Sequence, residues 1–396
     1  MELECLFCRE KVAADIFFPF CSLCGEPLLV SSPSRKKRFK KKAVLSLEKF
    51  IDFLPLPSIN RSLSLGEGNT SLIRLSTIEE KCNLPLLYAK NETSNPSHSF
   101  KDRGTVVSIL VAVDLGVKRI GTVSTGNMAA STAAYGARAG IETFILLKEG
   151  TSDHKVKSVA VYGPRLFRVS GDYGLLFNKS FSLGRKFRIY FINSVDPFRI
   201  EGYKLTGFEI YLQLEEAPRF IFVPLSSGGH LIGLMRAFLD LKDQGLIPDI
   251  PTFVGVQAAG CAPLANAFSG HKLKFTRISK ADTVAHAISN PDPPAGNLVL
   301  KLIKEYRGII VSVSDDEILS AQQILAEEAG IFCQPASATT LAAVFKLKRE
   351  NKLNRNEKKV LIITGSGLKA PESAKIPAEA IPTVSLDNLE NAFQNL

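Results

Sequence analysis

The chain has 396 residues, a net charge of +10 and 45% apolar residues. At about 100–200 residues per domain, this is enough for two or three domains with real cores. Its apolar runs fall short of the ~18 residues needed to cross a bilayer, and the acidic start Met1-Glu2-Leu3-Glu4-Cys5 lacks the basic-then-apolar pattern of a leader peptide, so the expectation is a cytoplasmic protein with no membrane partner.

Residues 1–30 read as a small module of their own. Cys5, Cys8, Cys21 and Cys24 form two Cys-x-x-Cys pairs. Each pair can wrap a tight knuckle around one metal, and four thiolates suit tetrahedral Zn2+. All four positions are filled by protein, which predicts a structural zinc ribbon rather than a catalytic metal. Thirty residues make little core, so the metal would supply folding energy. The other cysteines, Cys82, Cys261 and Cys333, are scattered and read as buried thiols.

A basic linker follows at 31–46, with seven basic residues among the eight of Arg35–Lys42. Like charges repel, so the run is expected to stay solvated; nucleic-acid binding is the less favoured reading. The mildly basic remainder suits a small anionic substrate.

From about residue 84 the pattern alternates. Predicted strands are 84–90, 119–124, 142–148, 165–170, 188–193, 219–225, 252–258, 308–313 and 359–364. Predicted helices are 101–116, 128–140, 153–162, 173–186, 200–216, 230–244, 315–329 and 337–350. Ser314 followed by Glu317 is a capping-box start for the helix at 315. Alternation of this kind predicts α/β layers with mainly parallel sheets. The segment 265–300 reads as loop with short helices.

Four small-residue turns each follow a predicted strand, where open α/β sheets collect their ligands. The first carries Lys101, within Asn95-Pro96-Ser97-His98-Ser99-Phe100-Lys101-Asp102-Arg103-Gly104. A partly desolvated lysine can lose its proton and form a Schiff base. The second is Ser124-Thr125-Gly126-Asn127-Met128, where Asn127 can donate to an oxygen. The third is Ser226-Ser227-Gly228-Gly229-His230, whose backbone amides at a helix start suit a phosphate. The fourth is Thr364-Gly365-Ser366-Gly367, where a hydroxyl can meet a ring nitrogen. Together these are the parts that hold pyridoxal phosphate.

On Gly66-Glu67-Gly68-Asn69-Thr70, Ser99-Phe100-Lys101-Asp102-Arg103-Gly104, Thr125-Gly126-Asn127, Asn193-Ser194-Val195-Asp196-Pro197-Phe198-Arg199-Ile200-Glu201-Gly202, Gln334-Pro335-Ala336-Ser337-Ala338 and Thr364–Lys369, the chain resembles the threonine synthase family of fold type II pyridoxal-phosphate enzymes. The resemblance runs from about Gly66 to Glu372. It implies a tryptophan synthase β-like core of two open α/β domains. The larger spans 47–92 and 190–380, the smaller 93–189 carries the lysine, and 381–396 is a tail.

It also implies roles. Lys101 would join the cofactor and act as base. Asn127 would bond the ring oxygen, Ser226, Ser227, Gly228, Gly229 and His230 the phosphate, and Thr364 the ring nitrogen. Ser97, His98, Ser99, Thr125, Lys155 and Arg199 would face the substrate, and the family suggests a homodimer. The chain departs from the family pattern at Ser97-His98, Met128, the phosphate turn and Ser366. Met128 removes a hydroxyl where substrate should lie, and His98 is a candidate replacement. Related activities on O-phosphoserine, as in cysteate synthase, or as a threonine or serine dehydratase, share the scaffold. An interaction factor with a disabled core belongs to a different class.

Overall fold

A computed structural model of the chain describes residues 1–31, 37–40, 44–374, 381 and 383–394. The strands are β1 (Glu2–Glu4), β2 (Lys11–Ala13), β3 (Leu29–Val30), β4 (Leu72–Arg74), β5 (Leu87–Asn91), β6 (Arg119–Val123), β7 (Glu142–Lys148), β8 (Arg165–Val169), β9 (Tyr190–Phe191), β10 (Phe220–Pro224), β11 (Thr252–Ala258), β12 (Ile309–Val313) and β13 (Lys359–Ile363). The helices are α1 (Ser46–Lys49), α2 (Ser76–Cys82), α3 (Lys101–Asp114), α4 (Asn127–Ala139), α5 (Asp153–Ala160), α6 (Tyr173–Phe187), α7 (Pro197–Leu214), α8 (Gly229–Asp243), α9 (Pro263–Ser269), α10 (Gly296–Glu305), α11 (Asp315–Ala329), α12 (Pro335–Arg349) and α13 (Leu389–Gln394).

Three sheets organise the molecule. The ribbon sheet has the order β2-β1-β3 and is antiparallel. A six-stranded sheet has the order β12-β11-β10-β13-β5-β4, and a four-stranded one the order β8-β7-β6-β9. Both are parallel, except that β4 runs antiparallel on the edge of the larger. The centre of the larger sheet explains its sequence. Phe-Ile-Phe-Val-Pro of β10 and Lys-Val-Leu-Ile-Ile of β13 are buried throughout, as strands covered on both faces must be.

Local signals fix the helix starts. Ser314 and Glu317 form the expected capping box, with bonds of 3.2 and 2.9 Å. Asp196 caps α7 by accepting from the Arg199 amide at 2.8 Å, and Pro197 takes the first helical position. This starts α7 three residues before the predicted 200. The segment 265–300, read as loop with short helices, holds α9 and the start of α10, which runs on to Glu305. β9 is shorter than its predicted 188–193.

Two glycines bring α3 and α7 into backbone contact. A Cβ on Gly202 would stand 2.2 Å from the Arg103 carbonyl oxygen, and one on Gly104 would meet Arg199 Cγ at 2.5 Å. Beside this crossing lies a buried ion network. Arg103 donates to Glu92 at 2.5 Å and to Glu209 at 2.7 Å, and Lys90 donates to Glu209 at 2.7 Å. Arg103 also donates to Thr70 Oγ1 at 2.9 Å, which ties in the Gly66–Thr70 turn.

Two expectations about the first 46 residues change. The ribbon is not free-standing: Leu3, Cys5, Cys21, Leu28, Leu29 and Val30 join the main hydrophobic core. The described part of the basic run is not simply solvated. Lys37 is buried against Asp240 at 2.6 Å, and Phe39 stacks on Phe53 with ring centres 5.1 Å apart. A single acidic partner on α8 outweighs repulsion among neighbouring cations. Arg35, Lys36, Lys41 and Lys42 lie outside the described residues.

Candidate active site

Lys101 opens α3, directly after the turn that leaves β5. Its ammonium lies over the Phe100 ring, 4.3 Å from the centre, and 5.8 Å from the centre of Tyr203. The residue is half-buried. Burial first, and the Arg199 guanidinium second, push its amine down to about 7. A lysine in that state is substantially neutral near neutral pH, as a Schiff-base nucleophile requires.

The third and fourth turns meet this segment, and the second joins the fourth through Gln334. The Phe100 amide donates to the Thr364 carbonyl at 3.0 Å, and the Ser366 amide to the His98 carbonyl at 3.0 Å. The Phe100 ring stacks on the His230 imidazole with centres 3.8 Å apart. Asn127 Nδ2 donates to Gln334 Oε1 at 2.8 Å, and the Gln334 amide bonds the Gly365 carbonyl at 3.0 Å. Thus Lys101, Asn127, Ser226–His230 and Thr364 belong to one cluster at the carboxyl ends of the strands.

Several of these groups are buried without a partner. Among the described residues, Ser99 Oγ and both ring nitrogens of His230 have no hydrogen-bond partner. Burial, with the charges of Lys101 and Arg103, holds His230 well below its ordinary value, so its imidazole is neutral. Orphaned polar atoms in a native core call for a missing partner. At the third turn, Gly228 has φ +97° and starts α8 without a side-chain cap bond, so the first amides of the helix are suited to an anion. The donor set fits a phosphate-bearing aldehyde cofactor: an amine of low basicity, an amide side chain, an anion nest and a hydroxyl.

The substrate-side candidates divide. Ser97 donates to Asp102 through both its amide, at 2.6 Å, and its hydroxyl, at 2.5 Å. Ser99 is fully buried, and Thr125 half-buried at the start of α4. His98 is exposed, with φ +60°, the left-handed region that a glycine occupies more cheaply. Arg199 is fully buried; it donates to Thr105 Oγ1 at 2.9 Å, Thr132 Oγ1 at 3.3 Å and the Ile192 carbonyl at 3.1 Å. Glu201, two residues on, pairs with Lys204 at 2.9 Å and Arg236 at 2.8 Å. Lys155 stands half-buried in the first turn of α5, and its side chain has no hydrogen bond or ion pair with the described residues of the Lys101 cluster.

Other residues of the cluster had no role in the sequence reading. Thr364 Oγ1 lies 2.9 Å from Ser337 Oγ, and the Gln334 carboxamide faces Asn127. Lys369 Nζ donates to the Ser97 carbonyl at 2.7 Å, and burial brings its amine down to about 8. Asp102, raised by burial, anchors the Ser97 turn from below. Their only signal was membership of the quoted motifs.

The residues of the Lys101 cluster lie within or next to a match at 63–365 to the family model described as pyridoxal-phosphate dependent enzyme. A threonine synthase from Methanocaldococcus jannaschii is 36% identical over 94% of this chain and 93% of its own length. One from Methanosarcina acetivorans is 33% identical over 98% and 96%. This chain belongs to the pyridoxal-phosphate dependent enzymes, in their threonine synthase branch. It has the fold type II architecture. The processed threonine deaminase isoform 2 from Solanum lycopersicum superposes with a TM-score of 0.65, covering 82% of each chain at 20% identity. At that identity the likeness concerns the fold alone.

The ribbon cysteines are gathered as well. Their four sulfurs lie within 4.8 Å of one another, with Cys5–Cys24 at 3.4 Å and Cys8–Cys21 at 3.5 Å. A tetrahedron with Zn–S bonds of about 2.3 Å needs sulfurs roughly 3.8 Å apart, so the cluster fits one metal ion.

Proposed function

We propose that this enzyme converts O-phospho-L-homoserine and water to L-threonine and phosphate, with pyridoxal phosphate as cofactor. The observation that carries the reading is the gathering of four strand-end turns around a lysine of low basicity, in a chain related over most of its length to threonine synthases. When bound, the cofactor supplies an electron sink conjugated to the substrate's α carbon. Lys101 would hold the cofactor at rest and would accept the substrate's α proton. Asn127 bonds the ring oxygen. Ser226, Ser227, Gly228, Gly229 and His230 would hold the cofactor phosphate, and Thr364 would face the ring nitrogen. A neutral hydroxyl there leaves that nitrogen less readily protonated than a carboxylate would.

Ser97, His98, Ser99, Thr125, Lys155 and Arg199 are assigned to the substrate side. Of these, Ser99 has a buried hydroxyl with no hydrogen-bond partner among the described residues, and Arg199 acts through its field on Lys101. Removal of one β proton lets phosphate leave from the γ carbon. Water then adds its oxygen at the β carbon, and protons return to the γ and α carbons. Zn2+ on Cys5, Cys8, Cys21 and Cys24 is structural in this reading, and the working form is a cytoplasmic homodimer, which sedimentation checks.

The decisive experiment is a spectrum of the purified enzyme with product analysis. Lys101→Ala should lose the Schiff-base absorbance near the visible edge. Incubation with phosphohomoserine should release threonine and phosphate. Activity confined to phosphoserine with sulfite, or to threonine itself, would overturn the substrate assignment.

A further inference from the structure

The ribbon touches the catalytic core in a particular place. Lys301 of α10 donates its ammonium to the Leu6 carbonyl at 2.7 Å and to the Phe7 carbonyl at 2.9 Å. Both carbonyls lie inside the first knuckle, between Cys5 and Cys8. Asn297, one turn earlier on α10, donates to Glu26 Oε1 at 2.8 Å. Glu26 stands two residues past Cys24, at the end of the second knuckle. Residues four apart on a helix share a face, so one face of α10 grips both knuckles.

The start of the same helix abuts the phosphate-binding turn. The Ala295 amide donates to the Ser227 carbonyl at 3.2 Å. A Cβ placed on Gly228 would meet Val299 Cγ2 at 2.8 Å and Ala295 Cβ at 3.1 Å. The bond and this close approach, which leaves no room for a side chain at Gly228, tie the start of α10 to the turn, so a shift of α10 is felt there. A second link runs through α8, the helix whose N-terminus forms the nest. Its Arg236 donates to the Val30 carbonyl of β3 at 2.7 Å. Between ribbon and turn lies a cavity of about 250 Å³, bordered by Phe20, Glu26, Ser194, Ser227 and Asn290.

We propose that α10 couples metal occupancy of the ribbon to the grip on the cofactor phosphate, with Lys301 and Asn297 as positioning residues. The inference rests on the assignment of Ser226–His230 to that phosphate. Without a metal, the knuckles lose the cross-link that fixes the Leu6, Phe7 and Glu26 acceptors. Lys301 and Asn297 then lose their anchors, and α10 no longer braces the Ser227-Gly228 turn. Coupling of this kind is reciprocal, so bound cofactor must hold the metal more tightly by the same factor.

The test uses full-length protein, freed of cofactor, in metal-loaded and chelator-stripped forms. Each is titrated with pyridoxal phosphate and followed by Schiff-base absorbance, with inorganic phosphate as a competing probe. Stripping should weaken pyridoxal phosphate and inorganic phosphate alike, by about tenfold. Lys301→Met, which leaves all four thiols in place, should retain zinc. It should weaken pyridoxal phosphate while metal is bound, and respond less to stripping than the parent. Zinc release to a chromogenic chelator should be slower when the cofactor is bound. Equal pyridoxal-phosphate affinity in loaded and stripped protein overturns the proposal. If stripping unfolds the whole chain, the metal-loaded Lys301→Met variant decides: unchanged affinity there overturns it too. A Schiff-base band that forms normally but ignores the metal leaves the active-site assignment standing and removes only the coupling. Absence of the band in every form removes both.

Discussion

Lys101 is set for chemistry by its surroundings more than by its identity. Burial is the larger cause of its depressed basicity and Arg199 the smaller. The consequence has a definite sign. In the unfolded chain this amine titrates near 10.4, and in the fold at about 7. Between those values the unfolded state binds more protons, so this group favours the cofactor-free fold increasingly as pH rises from about 7. That contribution is lost as pH falls through about 7. Acylation of Lys101 in cofactor-free protein, followed by peptide mass spectrometry, should rise with a midpoint close to 7 rather than near that of surface lysines. His98 offers a second residue-level test. It spends backbone energy on a left-handed conformation at the rim of the site. His98→Gly should leave stability within about 1 kcal/mol of the parent, whereas His98→Val should lower it by about 1–2 kcal/mol. A larger loss for glycine than for valine in denaturant midpoints would mean that the imidazole itself holds the turn.

Among the elements, the α3–α7 crossing sets the height of Lys101 above the sheet. It exists because Gly104 and Gly202 let two backbones touch. Gly202→Ala puts a methyl 2.2 Å from the Arg103 carbonyl, which is backbone and cannot yield like a side chain. The helices must separate, and overpacking of this kind costs about 1–3 kcal/mol. The expected outcome is a lower melting midpoint together with a reduced yield of the Lys101 Schiff base, since α3 moves with the lysine. At the other end of the scale, Ser314→Ala removes one half of an exposed capping box. It should cost about 1 kcal/mol and leave the cofactor spectrum unchanged.

At the level of the whole molecule, one buried ion network joins α3, α7, β5 and the Gly66–Thr70 turn. Burial alone would favour neutral Glu209, but Arg103 and Lys90 outweigh it and hold its carboxyl well below the usual range. Its stabilising contribution is therefore fully present above the unfolded carboxylate value. It fades as pH falls below that value, towards the lower one it has in the fold. Glu209→Gln leaves two buried cations facing the one remaining carboxylate, Glu92, and is expected to destabilise by about 3 kcal/mol or more. In urea unfolding the variant should also lose less stability than the parent when pH drops from 6 to 4. An identical acid response in both proteins would place the acid-sensitive groups elsewhere.

The sequence by itself determined the alternating α/β layers, the capping box, the two zinc-type knuckles and the motif around Lys101. These features depend on local chemistry: hydrophobic period, cap residues, and spacing along the backbone. It also bounded most strands and helices to within a few residues. Tertiary structure alone decided the rest. Arg199 is expected from the family resemblance to face the substrate, yet it is sealed between Thr105, Thr132 and the Ile192 carbonyl. Lys37 reads as one more solvated cation, yet Asp240, two hundred residues away, draws it inside. The pairing of Asn127 with Gln334, the stack of Phe100 on His230 and the grip of Lys301 on the first knuckle all join residues far apart in the chain. Such partners leave no periodic trace, because burial and charge pairing are set by which surfaces meet, and that is fixed only when the sheets and helices pack.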